Sequence, residues 1–177
     1  MWDVNKVAIK SGVYNRHIAK VDETAFDLAC KALEKLFNED KISKNEVDGI
    51  VFCTQSPDYI MPSNAFLINK KFNFNNKVWA FDYNLACSGF VYGLAIVRGM
   101  IKTGMGQNVL LITADTYSKY ISENDRATCV LFGDGAAVTL ISKSEENGVI
   151  NISLASSGNE FESFYIPWGG NRMPKNE

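Results

Sequence analysis

The sequence predicts an α/β domain built on a mainly parallel sheet with helices on both faces. Apolar runs without polar alternation at 49–54, 78–81 and 108–113 read as strands buried on both sides. Between them lie segments with apolar residues at helical spacing, and crossover helices are what parallel strands require. Length and composition agree: 177 residues, 46% hydrophobic and 21% charged, can bury one sizeable core and are too apolar for disorder.

Each element follows in order. Asp22 is the expected N-cap of a helix over 23–39, in which Ala25, Leu28, Ala29, Ala32, Leu33 and Leu36 make an apolar stripe. Residues 41–48 read as a short connection with a helical turn, and 49–54 as a buried strand. Pro57 and Pro62 punctuate a loop, after which Ser63 is the expected cap of a helix reaching Phe72. The strand at 78–81 runs into Asp82-Tyr83-Asn84, and a helix through about Lys102 carries Phe90, Leu94, Val97 and Ile101 on one side. Gly89 and Gly93 stand four apart in it. Each costs about 1 kcal/mol relative to alanine inside a helix, so the pair predicts close approach of a neighbouring element. A strand follows at 108–113, then a polar excursion over 115–126. Apolar segments at 128–132 and 136–142 flank Gly133-Asp134-Gly135, and 150–155 reads as a last strand. The 156–177 tail, with Gly158, Pro167, Gly169-Gly170 and Pro174, is loop-like, so residues 1–155 are expected to form the domain proper.

Composition narrows the function. Net charge is −2 with no run of like charges, which argues against nucleic-acid binding. The opening residues lack a signal-peptide core, and no apolar stretch nears the roughly 20 residues of a membrane helix. A soluble, cytoplasmic protein without membrane insertion is expected. The four cysteines, Cys30, Cys53, Cys87 and Cys129, are scattered, form no C-x-x-C pair and share the chain with one histidine, His17. Disulfide staples are not needed at this length, and neither a metal nor a cofactor is expected.

Cys87 is the candidate nucleophile. It falls between a strand end and a helix start among small residues, where unpaired amides and the helix dipole favour thiolate over thiol. The competing reading is a small packed cysteine, the expected state of the other three. His17 could serve as the base of a Cys-His pair, although it lies beside Arg16 in a polar segment. Gly133-Asp134-Gly135 does not have the spacing of a phosphate loop, so a turn in which Asp134 accepts from backbone amides is expected. Asp125-Arg126 fits either an anion-binding fork or a surface ion pair.

The run Ala86-Cys87-Ser88-Gly89-Phe90-Val91-Tyr92-Gly93-Leu94 resembles the active-site motif of the 3-oxoacyl-acyl-carrier-protein synthase III family. Arg16-His17-Ile18-Ala19, Ala114-Asp115-Thr116, Asp125-Arg126-Ala127-Thr128 and Leu131-Phe132-Gly133-Asp134-Gly135-Ala136 match further motifs in the family's order. The resemblance implies a thiolase-like half, a mixed and mostly parallel sheet between helix layers that lacks its first edge strand. It corresponds to the N-terminal half only. The implied reaction is acyl transfer from an acyl-CoA or other acyl thioester to Cys87, then decarboxylative Claisen condensation with malonyl-acyl carrier protein, in a homodimer serving fatty acid or related acyl-chain biosynthesis. The catalytic histidine and asparagine would come from the absent second half, so His17 is not that histidine and this chain alone is incomplete for condensation. Arg126 matches an arginine beside the CoA adenine, while Lys6 stands where relatives carry the tryptophan that stacks on it. Met61 stands where relatives often carry an aromatic that floors the partner's acyl pocket, which implies a reshaped pocket. A half-synthase that docks a carrier protein or partner subunit without catalysis is the alternative, and a cysteine hydrolase using His17 is a weaker third.

Overall fold

The computed structural model describes residues 4–146, 148–149 and 151–174. Eight elements make up the fold: α1 (Val4–Ser11), α2 (Ala25–Asn38), β1 (Gly49–Cys53), α3 (Asn64–Phe72), β2 (Trp79–Tyr83), α4 (Gly89–Lys102), β3 (Asn108–Asp115) and β4 (Gly135–Ser142), with single 3₁₀ turns at Lys44–Glu46, Tyr117–Lys119 and Phe161–Ser163. The strands form one sheet in the order β2-β1-β3-β4. β1 pairs parallel with β2 and β3, and β4 closes one side antiparallel to β3. This is the mixed, mostly parallel sheet expected. Among the described residues it has four strands.

Side-chain alternation divides the core into two layers, because successive residues of a strand face opposite sides of the sheet. Ile50, Phe52, Leu110, Ile112 and Ala114 face α2 and α3 and pack with Ala29, Leu33, Ala65 and Ile68. Val51, Val109 and Leu111 face the other way and pack with Val97 of α4. β1 is buried along its whole length, which is why it shows no polar alternation.

The structure revises several local expectations. The first long helix is capped by Thr24, not Asp22. The Thr24 hydroxyl accepts from the Asp27 amide while Asp27 accepts from the Thr24 amide, a reciprocal box that Asp22 has no partner to form. Ser63 holds the N-cap position of α3 but makes no capping bond, and its hydroxyl is buried without a partner among the described residues. The work is done from β2, where Asp82 accepts from the amides of Asn64 at 2.6 Å and Ala65 at 2.8 Å. Burial pushes the Asp82 carboxyl above its ordinary value despite those two bonds.

Two elements were misread. Helix α1 is unexpected, since an eight-residue helix has little propensity of its own and relies on packing. The strand expected at 150–155 is not formed: Ile150 lies outside the described residues, and 151–155 form no strand and are mostly exposed. An apolar run specifies a strand only where a neighbour offers an edge to pair with. The apolar 128–132 segment forms turns before β4 begins at Gly135.

Candidate active site at the carboxyl ends of the strands

Parallel pairing brings the carboxyl ends of β1, β2 and β3 to one end of the sheet, the position where open α/β sheets place their ligands. Each end contributes a loop. The loop after β1 is shaped from β3: one Asp115 oxygen accepts from the Thr54 hydroxyl at 3.1 Å, the Gln55 amide at 2.7 Å, and the Ser56 amide and hydroxyl, both at 3.1 Å. The Ser56 hydroxyl in turn accepts from the Thr116 amide at 2.8 Å. β1 and β3 are thereby tied together beyond the last ladder bond.

The loop after β2 carries Cys87, two residues before α4 begins at Gly89. Cys87 is exposed. Both glycines of the motif are required by contact, as their spacing predicts. A Cβ on Gly89 would lie 2.5 Å from the Cys53 sulfur, and one on Gly93 would overlap the Tyr83 hydroxyl and approach Leu111 to 2.6 Å.

A third cluster joins motifs far apart in sequence. Asp134 accepts from the Ala19 amide at 2.7 Å, the Ser118 amide at 2.9 Å and the Ser118 hydroxyl at 2.5 Å, while its own amide donates to the His17 carbonyl at 2.7 Å. The Arg16 guanidinium donates to the Phe132 carbonyl at 3.1 Å. The backbone of His17 thus serves as an anchor against the glycine-flanked turn, and Asp134 acts on amides as expected.

The sequence-predicted site residues are not gathered at one point. Arg126 lines a cavity of about 380 Å³ between α1 and the turn at 126–130, together with Arg16, Tyr14 and Cys129. Asp125 makes no ion pair with it. Instead its carboxylate accepts from the amides of Ala127 and Thr128, which holds its pKa below the ordinary carboxylate value, the Thr128 bonds contributing most. Met61 is 81% exposed beside the fully exposed Ile60 and lines neither this cavity nor the larger cleft.

That cleft, of about 850 Å³, was missed by the sequence reading. Gln55, Asn84 and Tyr117, from the three loops after β1, β2 and β3, line it with Phe132 and the tail residues Phe164 and Trp168. Tyr117, Phe132 and Phe164 stack in series at centroid separations of 5.5 and 6.0 Å, and Tyr117 donates to Gln55 Oε1. Burial chiefly, then the negative charge of Asp115, pushes the Tyr117 hydroxyl up. Reading all three strand ends together, rather than the cysteine's alone, was the available signal.

The cysteines divide by environment. Burial pushes the Cys30 thiol up to about 12 and raises Cys53 as well. Cys129, expected to be a packing residue, is half-exposed in a turn against the smaller cavity. Under native conditions iodoacetamide is expected to label Cys87 and Cys129. It should spare Cys30, whose thiolate fraction lies roughly 10³-fold below that of an ordinary thiol. Peptide mapping checks this pattern, and early alkylation of Cys30 would contradict it. Among the described residues no group of three His, Cys, Asp or Glu could hold a metal, and no helix is long and apolar enough to cross a membrane.

Comparison with known proteins bears on the whole chain. The sequence model of the 3-oxoacyl-(acyl-carrier-protein) synthase III family matches residues 81–158. The chain is 37% identical over 161 residues to a beta-ketoacyl-(acyl-carrier-protein) synthase III of Neisseria gonorrhoeae, covering 91% of this chain and 50% of that protein. It is 38% identical over 173 residues to the protein of the same name from Chlamydia muridarum, covering 97% and 53%. A crystal structure of a 3-oxoacyl-(acyl-carrier-protein) synthase III superposes with a TM-score of 0.92 at 38% identity, over 99% of this chain and 52% of that one. The chain spans about half the length of the curated relatives it matches.

Proposed function

Because this chain belongs to the 3-oxoacyl-acyl-carrier-protein synthase III family, we propose that it supplies the acyl-carrying half of a condensing-enzyme site, with Cys87 as the nucleophile. The observation that carries this reading is the position of Cys87: exposed, at the carboxyl end of the parallel strands and at the start of α4. The Cys87 thiolate attacks the carbonyl of an acyl thioester, the donor's carbon–sulfur bond breaks, and the donor thiol leaves. The Cys87 amide at the helix start contributes to stabilising the oxyanion. Malonyl-acyl carrier protein then loses carbon dioxide, its enolate carbon bonds to the acyl carbon, and Cys87 departs as thiolate. A histidine and an asparagine, which the family pattern places in the part of the relatives not matched here, would stabilise that enolate.

The cavity holding Arg126 and Arg16 suits the phosphates of CoA or of a carrier protein's prosthetic arm, since guanidinium groups match phosphate geometry. Lys6 in place of the stacking tryptophan weakens the claim of CoA over a carrier-bound donor. Met61 would reach the acyl pocket of a second copy in a homodimer. Methionine is slim and flexible, so Met61→Phe is expected to shift the acyl-chain-length profile towards shorter chains. An unchanged profile would remove Met61 from the pocket.

The test of the main reading is acylation. Incubation with an acyl-CoA, and separately with an acyl-carrier protein, should add one acyl group by intact mass, mapped to the peptide containing Cys87. An adduct on Cys53 or Cys129 would overturn it. The exposed Tyr59, Ile60 and Met61 favour a second reading, a non-catalytic module that docks a carrier protein or partner subunit. That reading gains if the chain binds a carrier protein stably yet takes up no acyl group.

A further inference from the structure

We infer that Tyr83 and Cys53 are positioning residues for Cys87, holding the nucleophile loop at both of its ends. The inference rests on Cys87 being the acyl-carrying residue. Tyr83 and Cys53 are the last residues of β2 and β1 and stand opposite each other in the ladder. The Tyr83 hydroxyl donates to the Gly89 carbonyl at 2.6 Å, just after Cys87. The Cys53 thiol donates to the Leu85 carbonyl at 3.2 Å, just before it.

Between those points the bonds are local: the Gly89 amide donates to the Ala86 carbonyl at 2.8 Å and the Tyr92 amide to the Ser88 carbonyl at 3.0 Å. Asn84, Ala86, Cys87 and Ser88 are all exposed, and the Ser88 side chain makes no capping bond. Burial pushes the pKa of both donors up, so both stay protonated and able to donate at neutral pH. The glycines complete the arrangement. Gly89 lets the Cys53 sulfur reach the helix start, and Gly93, one turn on, leaves room for the Tyr83 hydroxyl. A displacement of about 1 Å in a nucleophile's position can cost roughly 10²-fold in rate, which gives such a clamp its leverage.

Tyr83→Phe keeps the ring and removes one bond, so it tests the clamp without opening a cavity. Hydrogen exchange of amides 84–90 is expected to quicken about fivefold, the effect of losing one hydrogen bond, with β1 and β3 unchanged. In single-turnover acylation, the maximal rate constant for Cys87 should fall about tenfold while the half-saturating thioester concentration stays constant. Cys53→Ser, which retains a donor, should stay within about twofold of the unsubstituted chain, whereas Cys53→Ala should follow Tyr83→Phe. Unchanged loop exchange, protection lost across the whole sheet, or a rate loss confined to the half-saturating concentration would overturn the inference. Absence of any Cys87 adduct in the unsubstituted chain would instead strike the nucleophile assignment, and the exchange measurement would still judge the clamp.

Discussion

Cys87→Ser is expected to abolish the acyl adduct while leaving the fold intact. The side chain is exposed and loses only the size difference between sulfur and oxygen, so thermal unfolding should be unchanged. Its chemistry changes far more. A cysteine reacts as thiolate, whereas a serine hydroxyl needs an adjacent base to become a nucleophile. The chain's one histidine makes no hydrogen bond to Cys87, and its backbone carbonyl accepts from the Asp134 amide. General-base assistance is worth about 10²–10⁴, so a serine without it should acylate at least about 10³-fold more slowly, below detection by intact mass in a short incubation. Retention of a full adduct in Cys87→Ser would show that another residue carries the acyl group.

Asp115→Ala is expected to be the most damaging change to stability at the site. A single carboxylate oxygen accepts from two amides and two hydroxyls in the loop after β1, and Thr54 and Ser56 are buried. Alanine leaves those donors without a partner, and each unsatisfied buried group costs about 1–3 kcal/mol, partly relieved by water reaching the loop. The expected loss is about 3–5 kcal/mol, or roughly a 10 °C fall in Tm for a chain of this size. Asp115→Asn keeps the accepting oxygen without its charge and should lose about half as much. Thermal unfolding followed by circular dichroism measures both. A Tm within about 2 °C of the unsubstituted chain in Asp115→Ala would mean the loop is held by other contacts.

The legible part of this protein is the part written in local pattern. β1 and β3 appear as apolar runs because both of their faces are covered, and α2 and α4 appear through residues spaced to meet the sheet. The paired glycines of α4 announced a close approach, and the structure supplies the Cys53 sulfur and the Tyr83 hydroxyl as the approaching groups. Cys87 itself was legible from the change of period around it, from strand to helix.

What went unread depends on partners distant in sequence. Ser63 looks like a cap by residue type, yet Asp82 on a neighbouring strand reaches the same amides. The loop lined by Gln55 looks unstructured until Asp115, some sixty positions later, closes on it. The strip beside His17 is polar and featureless until Asp134 arrives from the far end of the chain. The strand expected at 150–155 fails for the converse reason, having suitable residues and no paired edge.

By itself, then, the sequence determined the α/β class, the buried strands β1 and β3, the helix bearing the motif glycines and the sulfur at its start, whereas β2, expected to be buried, is a half-buried edge strand. The features so determined follow from periodicity and intrinsic backbone preference, which act over one or two turns. Only the tertiary structure decided which carboxylates organise the site, that Arg126 and Met61 stand apart, and that the loop bearing Cys87 is gripped at both ends. Those outcomes turn on buried donors finding acceptors, and the three-dimensional meeting of strand ends, not local spacing, selects which acceptor each donor finds.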